Sequence, residues 1–124
     1  MTDKIVVLSA CDSEEQAALL ARHLVEQRLA ACVNILPNVR SIYRWHEKVE
    51  DASEWMLVIK SRRDLFVALR AEIEKMHSYE VPEMIALPVL DGSPAYLGWL
   101  EQELKLPNGR TSPVDGGESP HASE

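Results

Sequence analysis

The sequence predicts an α+β domain of the ferredoxin-like split βαβ class, with the order βαββαβ followed by a short C-terminal helix. Three observations predict it. Apolar runs rich in β-branched residues alternate with segments that have the apolar spacing of a helix, a predicted hairpin joins the two halves, and only the second and fourth predicted strands contain proline. Proline cannot donate to a sheet ladder, and the second and fourth predicted strands, which contain Pro37 and Pro88, are the edges of this topology. The proline-free first and third strands form the centre.

Length and composition narrow the class of protein. The 124 residues carry a net charge of −7 at pH 7, and we predict one domain over residues 1–104 and a disordered tail, rich in Gly, Pro, Ser and acids, over residues 105–124. No apolar run approaches the roughly 18 residues of a membrane span, so no membrane partner is expected. The longest basic cluster is Arg62-Arg63, so nucleic acid is not an expected partner. With two cysteines and no export signal, the predicted location is the cytoplasm.

The first half opens with a buried strand over residues 4–10, because four consecutive aliphatic residues leave no polar face for a helix. Ser13 and Gln16 then form a capping-box pattern that predicts the start of the first helix. Residues 31–45 are predicted to be extended, with an interruption at Pro37. The later residues of this strand that share one face are Val39, Tyr43 and Trp45.

The second half opens with another apolar strand, "EWMLVIK", over residues 54–60. Ser61 followed by Asp64 predicts the cap of a second helix, which ends at His77. We interpret the acidic residues around the start of this strand as solvated charges that attract cations loosely. These residues are Glu50, Asp51 and Glu54.

The chain leaves the second helix through Pro82, which favours an extended run over residues 83–90. Ser93 is the predicted cap of a third helix that ends near Leu104. Edge strands this long and apolar associate unless something covers them, so we expect the chain to form an oligomer.

The chain resembles the CutA divalent-cation-tolerance proteins over residues 4–104. Five pieces carry the resemblance, in order and at the expected spacing: "RLAACVNILP" from residue 28, "SIYRW" with "KVE" from residue 41, "LVIKS" from residue 57, "HSYEVPEMIALPV" from residue 77 and "YLGWL" from residue 96. The resemblance implies a ferredoxin-like fold, a homotrimer built by edge-strand pairing and similar in architecture to PII signalling proteins, and a role in the response to divalent metals such as copper. It implies no enzymatic activity, and the sequence has no nucleophile motif or glycine-rich phosphate loop.

Cys32 and His77 match residues implicated in copper binding within this family. Thiolate and imidazole are suitable ligands for copper, so the resemblance implies binding of Cu(II) or another divalent cation, with no cofactor required. Two other roles stay open: Cys32 as a small buried apolar side chain, and His77 as a cation near the carbonyls at a helix end. Because no CxxC or HxxxH spacing occurs, a metal site must be assembled across the fold or between subunits.

A second candidate site is a polar lining at a subunit boundary. Its predicted members are Trp45, Lys60, Tyr79 and Glu80. Such a lining forms an intersubunit hydrogen-bond network or, in a PII-like signalling module, binds a small molecule between subunits. Glu80 and Glu83 flank Pro82 in a segment that we interpret as extended, so their side chains are expected to point to opposite faces.

The sequence departs from the family pattern at three positions. Ser78 stands where members usually have proline, Glu47 where the hairpin usually has glycine, and Ser9 where some members have cysteine. Glu47 suggests a different turn type in the hairpin. The absence of a thiol at residue 9 leaves a copper site with fewer sulfur ligands.

Overall fold

The computed structural model describes residues 1–106 and has the predicted order of elements. The strands are β1 (Lys4–Cys11), β2 (Cys32–Trp45), β3 (Lys48–Arg62) and β4 (Ile85–Pro88). The helices are α1 (Glu14–Glu26), α2 (Phe66–Met76) and α3 (Pro94–Glu103), and a short 3-10 helix (Arg63–Leu65) precedes α2. Within these residues the strands form one antiparallel sheet in the order β2-β3-β1-β4. The α+β ferredoxin-like prediction is confirmed, and so is the assignment of the two proline-containing strands to the edges.

The hydrophobic core lies between one face of the sheet and the helices α1 and α2. The helices contribute residues at the three-and-four spacing of one apolar face. The fully buried aliphatic residues of this layer are Val7, Leu20, Leu24, Leu57, Ile59, Leu69 and Ile73. Each such side chain contributes about 1.5–3 kcal/mol on burial, so this layer is the main source of stability of the domain.

The opposite face of the sheet, which we call the open face, carries the alternate residues of the same strands. α3 packs against one end of it, where Glu101 contacts Lys4 at 2.9 Å and Arg62 at 3.2 Å. The middle of the open face is apolar, and its residues range from partly buried to about half exposed. Its residues are Val6, Leu8, Leu36, Met56, Val58, Ile85 and Leu87.

A β-bulge in β2 changes which of its residues lie on the open face. The register shifts between Leu36 and Val39, so β2 has one extra residue there. Pro37 lies in this bulge, and Asn38 adopts a positive φ of 58°. Before the bulge, the even-numbered residues of β2 lie on the open face. Because of the extra residue, the odd-numbered ones do so beyond it: Val39, Ser41, Tyr43 and Trp45.

The hairpin between β2 and β3 turns on two residues, His46 and Glu47. Their φ values are 50° and 66°, and positive φ at both central positions is what a type I′ turn requires. Glu47 thus adopts the left-handed conformation that glycine adopts at lower cost. The hairpin of this chain is thus a type I′ turn, and the expectation that its turn type differs from that of relatives stays a prediction.

The helix caps are partly as predicted. Ser13 Oγ accepts a hydrogen bond from the Gln16 N–H at 3.1 Å, and Ser93 Oγ caps α3 in the same way. The predicted cap at Ser61 is wrong, because β3 continues through this residue to Arg62. The Ser61 hydroxyl is buried and donates to the carbonyl of Leu29 at 2.6 Å, so it connects β3 to the segment between α1 and β2.

The predicted tail, residues 105–124, lies outside the described residues except for its first two. Lys105 is attached to the domain: its N–H donates to the Arg28 carbonyl at 3.0 Å, and its carbonyl accepts a hydrogen bond from the Arg62 guanidinium. Over residues 1–106, no helix is long and apolar enough to cross a membrane.

Candidate functional site

A cleft of about 670 Å³ lies at the end of the open face that is remote from α3. We call it the hairpin cleft, because the β2–β3 hairpin forms one side, while Ala10 at the end of β1 and the segment after α2 form the rest. Its aromatic and acidic residues are Tyr43, Trp45, Glu54, Tyr79, Glu80 and Glu83, and Ser41 and Ser78 also line it. Small-molecule sites have volumes of about 300–1,000 Å³, so the cleft is large enough for a ligand.

Glu54 is the buried carboxylate of the hairpin cleft. It pairs in register with Val39, the first residue after the bulge, and only 7% of its surface is exposed. Its Oε2 accepts a hydrogen bond of 2.6 Å from Tyr79 Oη. Among residues 1–106, no Lys, Arg or His nitrogen lies within 4.0 Å of this carboxylate. The interpretation of Glu54 as a solvated charge is therefore wrong.

Tyr79 is held as a neutral hydrogen-bond donor. Burial raises the pKa of Tyr79 well above its usual value, and the hydrogen bond to Glu54 and the charge of that carboxylate raise it further. Near neutral pH the phenol therefore stays protonated and donates a hydrogen bond to the Glu54 carboxylate.

His77 ends α2 as predicted, but its side chain turns inward and only 9% of the residue is exposed. Nδ1 accepts a hydrogen bond from the Tyr79 N–H at 3.0 Å, so Nε2 carries the ring proton and donates to the Ala10 carbonyl at 2.6 Å. The last carbonyl of α2, that of Met76, accepts instead from Gln16 Nε2 at 3.1 Å. Both nitrogens of His77 are thus used to hold the segment after α2 against the end of β1.

Cys11 is the cysteine that lies beside His77, with 3.8 Å between Sγ and Nε2. Burial raises the pKa of Cys11 to about 11, so the thiol is neutral at pH 7. The pair is a packed contact between neutral groups. Nothing in the sequence indicated it, because it depends on how the end of α2 meets the end of β1.

Cys32 lies at the other end of the open face. It pairs in register with Lys60, which pairs with Val6 of β1, whereas His77 contacts Ala10, four residues further along that strand. With strand spacings of about 4.8 Å and a rise of about 3.4 Å per residue, the two backbone positions are more than about 15 Å apart. One chain therefore does not bring the two predicted metal-binding residues together. Nor does any group of three or more His, Cys, Asp or Glu in residues 1–106 have an arrangement that could hold a metal ion.

Three of the four residues predicted for the polar lining meet in the hairpin cleft: Trp45, Tyr79 and Glu80. Lys60 lies outside it, because it is six residues along β3 from Glu54. Its Nζ donates instead to Asn34 Oδ1 across the β2–β3 ladder.

Glu80 and Glu83 both line the hairpin cleft. The expectation that they point to opposite faces is wrong, because strand alternation does not apply to the irregular segment before β4, which begins only at Ile85. Among the aromatic and acidic residues of the cleft, Tyr43, Glu54 and Glu83 are the ones that the predicted lining did not include. For Glu54 a signal exists: continuing the alternation of β3 backwards from Met56 and Val58 places it on the same face.

The fold and the cleft define a ferredoxin-like α+β domain with two unpaired edge strands among the described residues, an apolar open face and a ligand-sized cleft beside it. The family model described as "CutA1 divalent ion tolerance protein" matches residues 5–103. The chain belongs to this family, which is described by tolerance of divalent ions rather than by a catalysed reaction.

Relatives from distant organisms agree with this assignment. The "Divalent-cation tolerance protein CutA" of Thermus thermophilus is 45% identical over 97 residues, which cover 78% of this chain and 94% of that protein. The "Protein CutA" of Mus musculus is 48% identical over 92 residues, which cover 74% of this chain. These residues are 52% of the mouse protein, so the match spans about half the length of that relative.

Solved structures of family members have the same fold. The T. thermophilus protein superposes with a TM-score of 0.80 at 44% identity, over 82% of this chain and 98% of that one. CutA1 from Oryza sativa gives a TM-score of 0.80 at 40% identity, over 82% of this chain and 94% of that one. The sheet order and helix placement described above are therefore those of the family.

We predict that Tyr79 titrates far above the usual value of about 10 and that Glu54→Gln lowers its pKa, because the substitution removes the neighbouring negative charge. In the unfolded chain Tyr79 loses its proton near pH 10, whereas in the folded protein it keeps it, so stability falls as pH rises above about 10. The measurement is a tyrosinate absorbance titration, with Tyr79→Phe subtracted to isolate this residue.

Glu80→Gln is the matched control, since Glu80 lines the same cleft but makes no hydrogen bond to Tyr79 in the described structure. It should leave the titration of Tyr79 nearly unchanged. A normal tyrosine titration in the wild type would contradict the described contact.

Proposed function

We propose that this protein is a non-enzymatic, homotrimeric divalent-cation-tolerance protein of the cytoplasm that takes part in the response to metal ions. It binds Cu(II) or another divalent cation and requires no cofactor. The observation that carries this proposal is the half-buried thiol of Cys32, which lies on an edge strand beside the apolar open face, where a second subunit can supply further ligands. Family membership and the net charge of −7 support the preference for cations.

The unpaired strand edges and exposed apolar side chains of the single chain support the proposed trimer. Within residues 1–106, β2 and β4 each pair along one side only, and the apolar residues Leu36, Ile85 and Leu87 are exposed on the open face. Unpaired edges and exposed apolar surface mark association sites. An edge of one copy can pair with the opposite edge of the next, and such a head-to-tail contact closes into a ring when the rotation allows it.

The proposed metal site needs residues from more than one subunit. Thiolate and imidazole suit copper, but one chain keeps Cys32 and His77 apart. The half-buried Cys32 thiol lies 3.9 Å from Asn34 Oδ1 and also contacts the Tyr96 hydroxyl, so a metal ion would displace two weak sulfur contacts here. His77 would have to give up one of its two hydrogen bonds to bind a metal. Cys32 is therefore the principal ligand in this proposal, and His77 is the secondary one.

A second function is favoured by one specific observation, the ligand-sized hairpin cleft. In this alternative the protein is a PII-like signalling module that binds a small molecule where subunits meet. The aromatic and carboxylate residues of the cleft, Trp45, Tyr79 and Glu80 among them, would contact that ligand.

We predict a molar mass near three times that of the 14.0 kDa chain when the protein is measured by light scattering after gel filtration. Leu87→Glu should shift this mass to that of a single chain, because it puts a charge on the open face next to an edge. Val67→Glu is the control, because Val67 is 68% exposed on α2, away from the open face. A wild-type mass equal to one chain would refute the trimer.

We predict that the metal-free protein binds Cu(II) and that Cys32→Ser weakens this binding by about tenfold or more, since it removes the softest ligand. His77→Gln should weaken it less, because the imidazole is already hydrogen-bonded. His46→Gln, in the exposed hairpin turn, is the control. Calorimetry measures the binding, with Zn(II) as a cation that cannot oxidise the thiol. The proposal fails if neither metal binds, or if both substitutions leave binding unchanged.

A further inference from the structure

Glu54 carries a buried negative charge that no basic side chain of residues 1–106 neutralises. The residue is 7% exposed, and its one described hydrogen bond is the one that Oε2 accepts from Tyr79. A buried carboxylate without a cationic partner lowers the stability of a protein, because the charge has lost its hydration. The hairpin cleft therefore contains a site that favours a positive group.

The free oxygen of this carboxylate is accessible from the cleft. Oε1 accepts no described hydrogen bond, yet it is not among the fully buried polar atoms without partners, which in the described part of the chain are Ser9 Oγ and Trp55 Nε1. Glu54 lines the hairpin cleft, so the cleft is the side from which a ligand would approach this carboxylate. A ligand that enters can reach it.

The remaining lining also favours a cation. Tyr43 and Trp45 line the cleft, and the faces of aromatic rings attract ammonium and guanidinium groups. Glu80 and Glu83 add two more carboxylates, and none of the described residues that line the cleft is Lys, Arg or His. The described lining is therefore acidic and aromatic and has no cationic side chain to pair with an anion.

An organic cation fits this lining better than a metal ion does. A metal ion needs several oxygen, nitrogen or sulfur ligands that converge on one point, and no such group of His, Cys, Asp or Glu occurs in residues 1–106. An ammonium or guanidinium group needs only one well-placed carboxylate together with aromatic faces. The cleft supplies both.

We propose that the hairpin cleft binds an alkylammonium or guanidinium group, which pairs with the Glu54 carboxylate and packs against Tyr43 and Trp45. This inference rests on the small-molecule function proposed for the cleft and names its ligand class. Two sources can supply the group. One is a free amine, and the other is the side chain of Lys60 in a second copy. Lys60 is a candidate because no carboxylate of the described residues lies within 4.0 Å of its ammonium group.

The test uses the full-length protein with putrescine and agmatine as probes, and with butanol and butyrate as neutral and anionic probes of similar size. If the source is a free amine, putrescine or agmatine raises the melting temperature and binds in calorimetry, whereas butanol and butyrate do not. Glu54→Gln, which keeps an acceptor for Tyr79, should weaken this binding by about tenfold or more. Glu74→Gln, an exposed position on α2, is the control and should leave it unchanged.

A second arm identifies a side chain as the source. In that case neither amine binds to the wild type, and Glu54→Gln and Lys60→Gln each shift dissociation of the oligomer to higher protein concentration, whereas Lys48→Gln in the exposed hairpin does not. The inference is overturned if no amine binds and Glu54→Gln leaves the assembly unchanged, or if butyrate binds as well as putrescine. Butyrate binding alone would retain a small-molecule function for the cleft and refute only the ligand class.

Discussion

The single extra residue of β2 at Pro37 and Asn38 is the constraint on which the site depends. Side chains alternate along a strand, so one inserted residue transfers every later side chain to the other face. The bulge therefore puts Tyr43 and Trp45 on the side of the sheet where Glu54 lies. Without it, these two rings would lie on the other face of the hairpin, and the cleft would lose its aromatic wall. Pro37 suits this position because it has no N–H to leave unpaired.

A chain of three hydrogen bonds completes the cleft from the other side. His77 Nε2 donates to the Ala10 carbonyl, the Tyr79 N–H donates to His77 Nδ1, and Tyr79 Oη donates to Glu54. The chain connects the end of β1, the exit of α2 and the start of the apolar part of β3. It fixes the irregular segment over residues 78–84, which belongs to neither α2 nor β4 and so is not held by the hydrogen bonds within a helix or strand. The imidazole of His77 is therefore a structural part of the cleft as long as both of these bonds are kept.

The fold could be predicted from the sequence because its determinants are local. Apolar runs identify the strands, and the positions of Pro37 and Pro88 identify the edges. The site was predicted less completely, because its members meet through tertiary packing. Trp45, Tyr79 and Glu80 lie together, yet the burial of Glu54 and the contact between Cys11 and His77 depend on strand length and on how α2 ends. Lys60 was wrongly included in the predicted lining, because six residues of β3 separate it from Glu54 and place it outside the cleft.

The open face has an acidic end at Glu54 and a basic end at Lys60. This difference connects the proposed trimer with the proposed cation site. At one end Glu54 has no described cationic partner, and at the other Lys60 contacts only the neutral amide of Asn34. Six residues of β3 separate them, about 20 Å at the rise of a strand, so they cannot meet within one chain. Two copies related head to tail bring opposite ends of this face together, which is the arrangement that edge pairing also requires. Such a contact would pair the two charges across the boundary between subunits. A ligand with different affinities for the cleft in the single chain and in the proposed ring would shift the assembly equilibrium, and assembly would change its affinity by the same factor.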